Sequence, residues 1–414
     1  MPDFSVLHIS TADNIGGSGR SAYKIHKGLC RIGIDSKMLV GLQVTSDPTV
    51  ARISKRWMKV ADLITGTITD ALGLQYVFLP SSLAILSHPW FKAADIIQLY
   101  NTHGNYFSHS ILPLISRRKK VVWRLSDMWP VTGHCVYSGD CELWLYGCKK
   151  CPHPDSYPPL SWDSASLLWK WKKYLYQRSG IHIVAPSSWT MGIAEKSPLF
   201  KKFSKSVIPN GVDLGIFKPI PKESCMTILN IPKEKKTVLF LAHVIKDNPR
   251  KGGDFFIAAI NKIVEHGEDN LMVLLAGEGA DAWGHELKCP VWRHGLINDD
   301  ELLAVVYNSA DILVHPAIVE NLPNSIIEAM ACGTPSVAFD TGGVSDVVRN
   351  METGYLAACK DGESLYRGIK LLLDKEEVRV SMGKKCREIA EAEYSLELQT
   401  RRFAELYQKI VLIK

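Results

Sequence analysis

The chain has 414 residues, 46% of them hydrophobic and 22% charged, with a formal net charge of +6. That length suits two domains with a core each, and the composition is that of an ordinary globular enzyme rather than a disordered or fibrous chain. The charge is too small to suggest a nucleic-acid partner, and no apolar run is long enough to span a bilayer.

The sequence opens Met1-Pro2-Asp3 and turns directly into a strand, without a basic stretch or a cleavage site, so a cytoplasmic protein is expected. In that compartment its ten cysteines are expected as thiols or metal ligands rather than a disulfide framework. Short apolar runs then alternate with helical stretches. Strands are predicted over 5–10, 37–41, 95–100, 120–125 and 181–185, the pattern of βα units on a parallel sheet. Gly16-Gly17-Ser18-Gly19-Arg20 follows the first strand and opens a helix. Glycines there let a backbone approach a phosphate, and the helix N-terminus adds partial positive charge. The spacing does not match the dinucleotide fingerprint.

The second half repeats the scheme. Strands are predicted over 237–243, 271–276, 311–315 and 336–339, with a helix over 253–266 and a short strand from Val291 to His294. Between the halves, 210–236 is rich in Pro, Lys and Asn and reads as a linker. A last helix over 395–411 carries apolar positions at Leu398, Phe403, Leu406, Tyr407 and Ile410.

Two features of the first half call for chemistry. Residues 161–210 hold eight Lys/Arg against two acids, and a basic surface of this kind suits an anionic partner such as a bilayer. Within it, Ser166 to Arg178 mixes aromatics with Lys and Arg at helical spacing, as at a membrane interface. The plainer alternative is a helix that buries Leu168, Trp171 and Leu175. Upstream, Cys135, Cys141, Cys148 and Cys151 are spaced C-x5-C-x6-C-x2-C, ending in a half-site common for tetrahedral zinc. A structural zinc site, packed thiols and a disulfide all remain open.

The most informative stretch is Glu320-Asn321-Leu322-Pro323-Asn324-Ser325-Ile326-Ile327-Glu328. The spacing puts one acid at the mouth of a helix and the other about two turns inside it, so both can face one pocket. Pro323 suits the first helical turn. The N–H groups around Asn321, Leu322, Asn324 and Ser325 would point at an anion ahead of the helix. Asn248-Pro249-Arg250-Lys251-Gly252-Gly253 follows the first strand of the second half and offers fixed positive charge, with Arg as a fork and Lys as a compact ammonium.

Together with Ala310-Asp311-Ile312-Leu313-Val314-His315-Pro316 before it, and Ala331-Cys332-Gly333-Thr334-Pro335 through Thr341-Gly342-Gly343 after it, this run resembles the donor site of retaining glycosyltransferases of the large family-4 type. The segment 121–153 resembles the branch of that family that builds bacterial exopolysaccharide and O-antigen units, including the colanic-acid type. The resemblance implies an α/β chain of GT-B fold with two Rossmann-like domains facing a cleft. Residues 1–212 would bind the acceptor and 213–394 the donor, and 395–414 would be a helix crossing back to the first domain.

It implies a metal-independent, retaining transfer from a UDP- or GDP-sugar to a glycan acceptor, lipid-linked in surface-polysaccharide synthesis. The protein would then work at the cytoplasmic face of the inner membrane, without a catalytic cofactor. Lys251 and Arg250 would meet the diphosphate, as would Gly16 and Gly17. Glu320 would contact the transferred sugar, Glu328 the ribose, and the turn Gly295-Leu296 the base. Three departures stand out: His243 replaces the Arg usual in the family, and Ser126 and Tyr100 replace histidines. Asp127, His103 and His134 are then the candidates on the acceptor side. A sugar-nucleotide epimerase of the same architecture and a non-catalytic glycan-binding protein are the competing readings.

Overall fold

A computed structural model describes residues 4–54, 56–245, 248–283 and 285–412. The Met1-Pro2-Asp3 start lies outside the described residues. The chain divides into two compact units. One runs to Pro209 and is completed by the chain from Gln399 onward; the other is Asn210–Leu398.

The first unit is built on seven strands: β1 (Ser5–Ala12), β2 (Asp35–Leu42), β3 (Val50–Arg52), β4 (Ile96–Leu99), β5 (Lys120–Arg124), β6 (His182–Ala185) and β7 (Ser204–Val207). They pair in the order β3-β2-β1-β4-β5-β6-β7, every pair parallel. Both faces of β1 and β4 are buried, as expected of a parallel sheet covered by helices on either side. The terminal helix Leu396–Leu412 packs on this unit. Phe403 and Tyr407 are fully buried in one cluster with Phe4, Val6 and Ile25, and Tyr407 donates a hydrogen bond to Gln98 at 2.9 Å.

The second unit carries β8 (Lys236–Val244), β9 (Leu271–Glu278), β10 (Val291–His294), β11 (Ile312–His315), β12 (Ser336–Phe339) and β13 (Gly354–Ala357), in the order β10-β9-β8-β11-β12-β13, again parallel. The helix Gly253–Glu265 buries Gly253, Phe256, Ile257 and Ile260, the i, i+3, i+4, i+7 stripe of a helix laid on a sheet, and continues it at Ile263.

The predicted strands stand within two residues of their observed ends. β3, β7 and β13 were not predicted; each is only three or four residues long and lies at the edge of its sheet, where fewer of its residues are buried. The reading of 210–236 as a linker is corrected. Val212, Phe217, Met226, Leu229 and Ile231 are buried in the core of the second unit, Lys222–Ile228 is a helix, and Val212 N–H donates to Tyr394 at 2.8 Å. The prolines there shape turns inside the unit.

Candidate active site

In the second unit the strand order reverses at β8, which has β9 on one side and β11 on the other. Loops leaving neighbouring strands at such a point part to opposite faces and open a crevice at the carboxyl ends, where doubly wound sheets bind ligands. The loop after β8 carries Arg250 and Lys251, and the loop after β11 carries Glu320.

Backbone contacts knit these loops together. Ile318 N–H donates to Arg250 carbonyl at 2.9 Å, Gly343 N–H to Glu320 carbonyl at 3.2 Å, and Thr341 Oγ1 to Ile318 carbonyl at 3.0 Å. Two glycines make this closeness possible. Gly252 has φ +71°, and a Cβ there would lie 1.9 Å from Pro316 carbonyl oxygen. Gly342 has φ +57°, and its Cβ would lie 1.8 Å from Glu320 carbonyl oxygen. Only glycine tolerates both the left-handed backbone and the approach.

The result is an ion pair. Lys251 Nζ donates to Glu320 Oε2 at 2.6 Å, with the two side chains only 18% and 14% exposed. His315, the last residue of β11, is buried, with Nε2 3.8 Å from the same carboxylate oxygen and Nδ1 3.5 Å from Ser325 Oγ. Burial pushes the Glu320 carboxyl up, but Lys251, His315 and Arg250 together outweigh it and hold it down at about 2. Burial, Lys251 and Arg250 push His315 down to about 4 against the pull of Glu320, so at neutral pH the site holds an anionic carboxylate beside a neutral imidazole.

The helix Asn324–Ala331 begins after Pro323, which is extended and caps it, so it starts later than the sequence pattern implied, with Pro323 just outside the first turn. Glu328 lies within this helix, buried, and accepts from Tyr307 Oη at 3.1 Å. Asn321 N–H lies 3.3 Å from Glu320 Oε1. Asn210 holds the helix entrance, donating to Leu322 carbonyl at 3.0 Å and to Asn324 Oδ1 at 2.7 Å. The sequence reading did not single out His315, Asn210 and Tyr307. His315 and Asn210 were signalled by their positions, one closing a strand and the other inside Pro-Asn-Gly; Tyr307 gave no signal of its own.

The remaining donor candidates line the same end of the sheet. His243, the next-to-last residue of β8, is exposed. Gly295 and Leu296 follow β10, and Gly295 carbonyl accepts from Gly277 N–H at 3.1 Å.

In the first unit the order reverses at β1, between β2 and β4, so the same rule marks the ends of β1, β4 and β5. Gly16, with φ +66°, and Gly17 open the helix Gly16–Arg31 after β1. Ser18 and Ser126 share a hydrogen bond of 2.9 Å, so the residue standing in a histidine's place contacts the glycine loop. Tyr100 instead turns to His8, at 2.9 Å. His103 and Asp127 are brought together, Nε2 to Oδ2 at 3.0 Å, both buried.

His134 is not with them. Its Nδ1 meets Pro158 carbonyl at 2.9 Å and its Nε2 meets Cys151 Sγ at 3.4 Å, so packing beneath the 151–158 loop uses the ring.

Cys135, Cys141, Cys148 and Cys151 lie within electrostatic reach of one another. Among the described residues no three His, Cys, Asp or Glu side chains are gathered to hold a metal ion. Cys148 Sγ accepts from Gly133 N–H at 3.1 Å, and burial raises the Cys135 thiol to about 11 and the Cys148 thiol to about 12. Beside them lies Lys172, fully buried on the helix Ala165–Gln177. It donates to the carbonyls of Trp129, Thr132 and Gly133 at 2.6, 3.1 and 3.2 Å, and lies 3.5 Å from the Trp129 ring centroid. The basic aromatic stretch thus turns one of its lysines inward, while Lys170, Lys173, Tyr174 and Arg178 stay exposed. Of the residues expected to be buried, Leu168 and Leu175 are, with Trp169 in place of Trp171.

Comparison with known proteins gives this geometry a class. Residues 222–389 match the family described as glycosyl transferases group 1, so the second unit carries a domain of that family. Over 239 residues the chain is 27% identical to WcaC of Escherichia coli strain K12, described as a glycosyl transferase of colanic acid biosynthesis; the match covers 55% of this chain and 54% of that protein. The chain spans about half the length of the curated relatives it matches.

Solved structures share the fold along the chain. Sucrose-phosphate synthase of Thermosynechococcus elongatus superposes with a TM-score of 0.69 at 19% identity, over 99% of this chain and 100% of that one. Anabaena HepE, solved with UDP-glucose, superposes with a TM-score of 0.68 at 15% identity, over 98% and 100%. These are GT-B glycosyltransferases, and the two parallel sheets described above are of that fold. Among the described residues no helix is long and apolar enough to cross a membrane.

Proposed function

We propose that this protein is a retaining, metal-independent glycosyltransferase that moves a hexose from a UDP- or GDP-sugar to a glycan acceptor, lipid-linked, in bacterial surface-polysaccharide synthesis. The observation that carries the reading is the Lys251–Glu320 pair, with Arg250 and His315, at the carboxyl ends of β8 and β11. A nucleotide sugar leaves as a diphosphate, so the reaction needs fixed positive charge where negative charge develops. Lys251 and Arg250 supply it without a metal. Glu320, held ionised, accepts from hydroxyls of the transferred sugar and stabilises positive charge growing at its ring. Glu328, about one turn inside the helix Asn324–Ala331, holds the ribose. Retention follows if the acceptor attacks from the face the diphosphate leaves, with the diphosphate taking the acceptor proton.

The similarity to a colanic acid glycosyl transferase supports the polysaccharide setting, and the HepE complex with UDP-glucose supports a nucleotide-sugar donor. His103 and Asp127 are the acceptor-side pair in this reading. A membrane-surface acceptor is supported by exposed Val60, Leu63, Ile64 and Ile68 along the helix Arg56–Ala71, an apolar stripe of the kind that lies in a bilayer interface. A thermal-shift screen of UDP- and GDP-sugars, followed by product analysis with a lipid-linked saccharide, tests the proposal. A stabilising nucleotide sugar consumed only in the presence of acceptor is the expected result; no stabilisation by any of them would overturn it.

A further inference from the structure

His315 has a nitrogen that no described residue uses. The side chain is 5% exposed, and Nε2 has no hydrogen-bond partner among the described residues. A buried N–H without a partner is costly and uncommon. This one is directed toward Glu320, 3.8 Å from Oε2, too long for a hydrogen bond but within one small movement of it. The other ring nitrogen, Nδ1, faces Ser325 Oγ at 3.5 Å, at the start of the helix Asn324–Ala331. A serine hydroxyl donating to Nδ1 leaves the single proton of a neutral imidazole on Nε2, the Glu320 side. The charged groups acting on the ring are Lys251 and Arg250 from the loop after β8 and Glu320 from the loop after β11. Burial, with Lys251 and Arg250, outweighs the pull of Glu320 and keeps the ring uncharged at neutral pH.

Glu320 is at present served by Lys251 at 2.6 Å. In the donor site proposed above, the same ammonium must also meet a diphosphate, and a lysine turned toward phosphate oxygens lengthens its contact with the carboxylate. We propose that His315 is a positioning residue for Glu320: when Lys251 turns to the donor diphosphate, the Nε2–H of His315 takes over as hydrogen-bond donor to the Glu320 carboxylate and keeps it aimed at the transferred sugar. The exchange needs no proton taken up or released, only a closing of the 3.8 Å gap. It also accounts for a polar ring at the end of a buried strand where an aliphatic side chain would pack at lower cost.

The test compares His315→Leu with His315→Gln in the full chain. Binding of UDP and GDP is measured by calorimetry, turnover by release of nucleoside diphosphate, with a lipid-linked saccharide acceptor present, from the nucleotide sugar that stabilises the protein most, and folding by thermal melts. Both variants should fold and bind nucleoside diphosphate about as wild type does. Leucine should lower turnover at saturating donor by about tenfold or more, the value of one hydrogen bond to a charged group. Glutamine, whose amide can donate to the carboxylate, should recover most of it. A ring that merely fills space predicts the reverse order, because leucine suits a buried apolar hole and glutamine does not. Wild-type turnover in the leucine variant, or glutamine no better than leucine, would overturn the assignment. If the wild type itself binds neither UDP nor GDP and releases neither, the donor site falls, and with it this role; that outcome is read before any variant is compared.

Discussion

Lys251→Ala removes an ammonium 2.6 Å from Glu320 Oε2, in a pair whose side chains are 18% and 14% exposed. Two losses of different size follow, each with its own assay. The first is in stability. Stranding one partner of a buried pair costs about 3–5 kcal/mol, but Arg250 and His315 still act on Glu320, and some solvent reaches it. A loss of about 2 kcal/mol is therefore expected.

The pH dependence has a definite sign. The Glu320 carboxyl sits at about 2 in the folded protein, below its ordinary 4.5, so its contribution is present above pH 4.5 and is lost as pH falls toward 2. In the variant, burial meets less opposing charge. The carboxyl rises, and the loss begins at higher pH. The second loss is in turnover, where one electrostatic contact to the departing diphosphate is worth about 3–4 kcal/mol, or about 10²–10³ in rate. Thermal melts at pH 7 and pH 4 read the first, and nucleoside diphosphate release at saturating donor reads the second. Adding Glu320→Gln should restore stability without restoring turnover, because the stranded charge is removed while the lost diphosphate contact is not replaced. A folded Lys251→Ala protein with wild-type turnover would refute the reasoning.

Glu328→Ala should mainly raise the Kd for the nucleotide, whereas Glu320→Ala should lower kcat at saturating donor; equal effects of both on Kd, with kcat unchanged, would remove their separate roles. Lys172, held down at about 7 by burial against an ordinary 10.5, costs the folded state stability that is regained as pH rises across that window. Lys172→Met cannot titrate and leaves three carbonyls unserved, so its stability deficit in urea melts should widen from pH 7 to about pH 9.5; a constant deficit counts against a lysine whose pKa burial has lowered. EDTA should leave donor turnover unchanged, since Lys251 and Arg250 provide the charge a divalent cation would otherwise bring; abolition by EDTA and full rescue by magnesium would contradict this.

Much of the second unit was legible because its signals are local. The Glu320–Glu328 spacing, the Arg250-Lys251-Gly252 turn and the strand–helix alternation each declare themselves within a dozen residues. The convergence of the loops was less so. That Lys251 and Glu320 meet depends on β8 and β11 being neighbours, and strand order is not written in any one segment. His315 went unnoticed as a site residue for the same reason, because a lone histidine closing a strand looks like packing until its unused nitrogen is seen to face a carboxylate. In the first unit the basic aromatic stretch was only half readable. Periodicity marks a helix, yet it does not tell that Lys172 turns inward to serve the carbonyls of the loop 129–133. The C-x5-C-x6-C-x2-C spacing marks a cluster, but it does not tell that one cysteine faces a backbone N–H and another a histidine.

The central claim is that the Lys251–Glu320 site transfers a sugar from a nucleotide donor. It is tested most directly by measuring nucleoside diphosphate release from UDP- and GDP-sugars with a lipid-linked saccharide acceptor, for the wild type and for folded Glu320→Ala. The account predicts acceptor-dependent release from one donor by the wild type, with the new glycosidic bond in the donor's own anomeric configuration, and a loss of about 10²-fold or more in the variant. Full release by Glu320→Ala, or a product of inverted configuration, would contradict it.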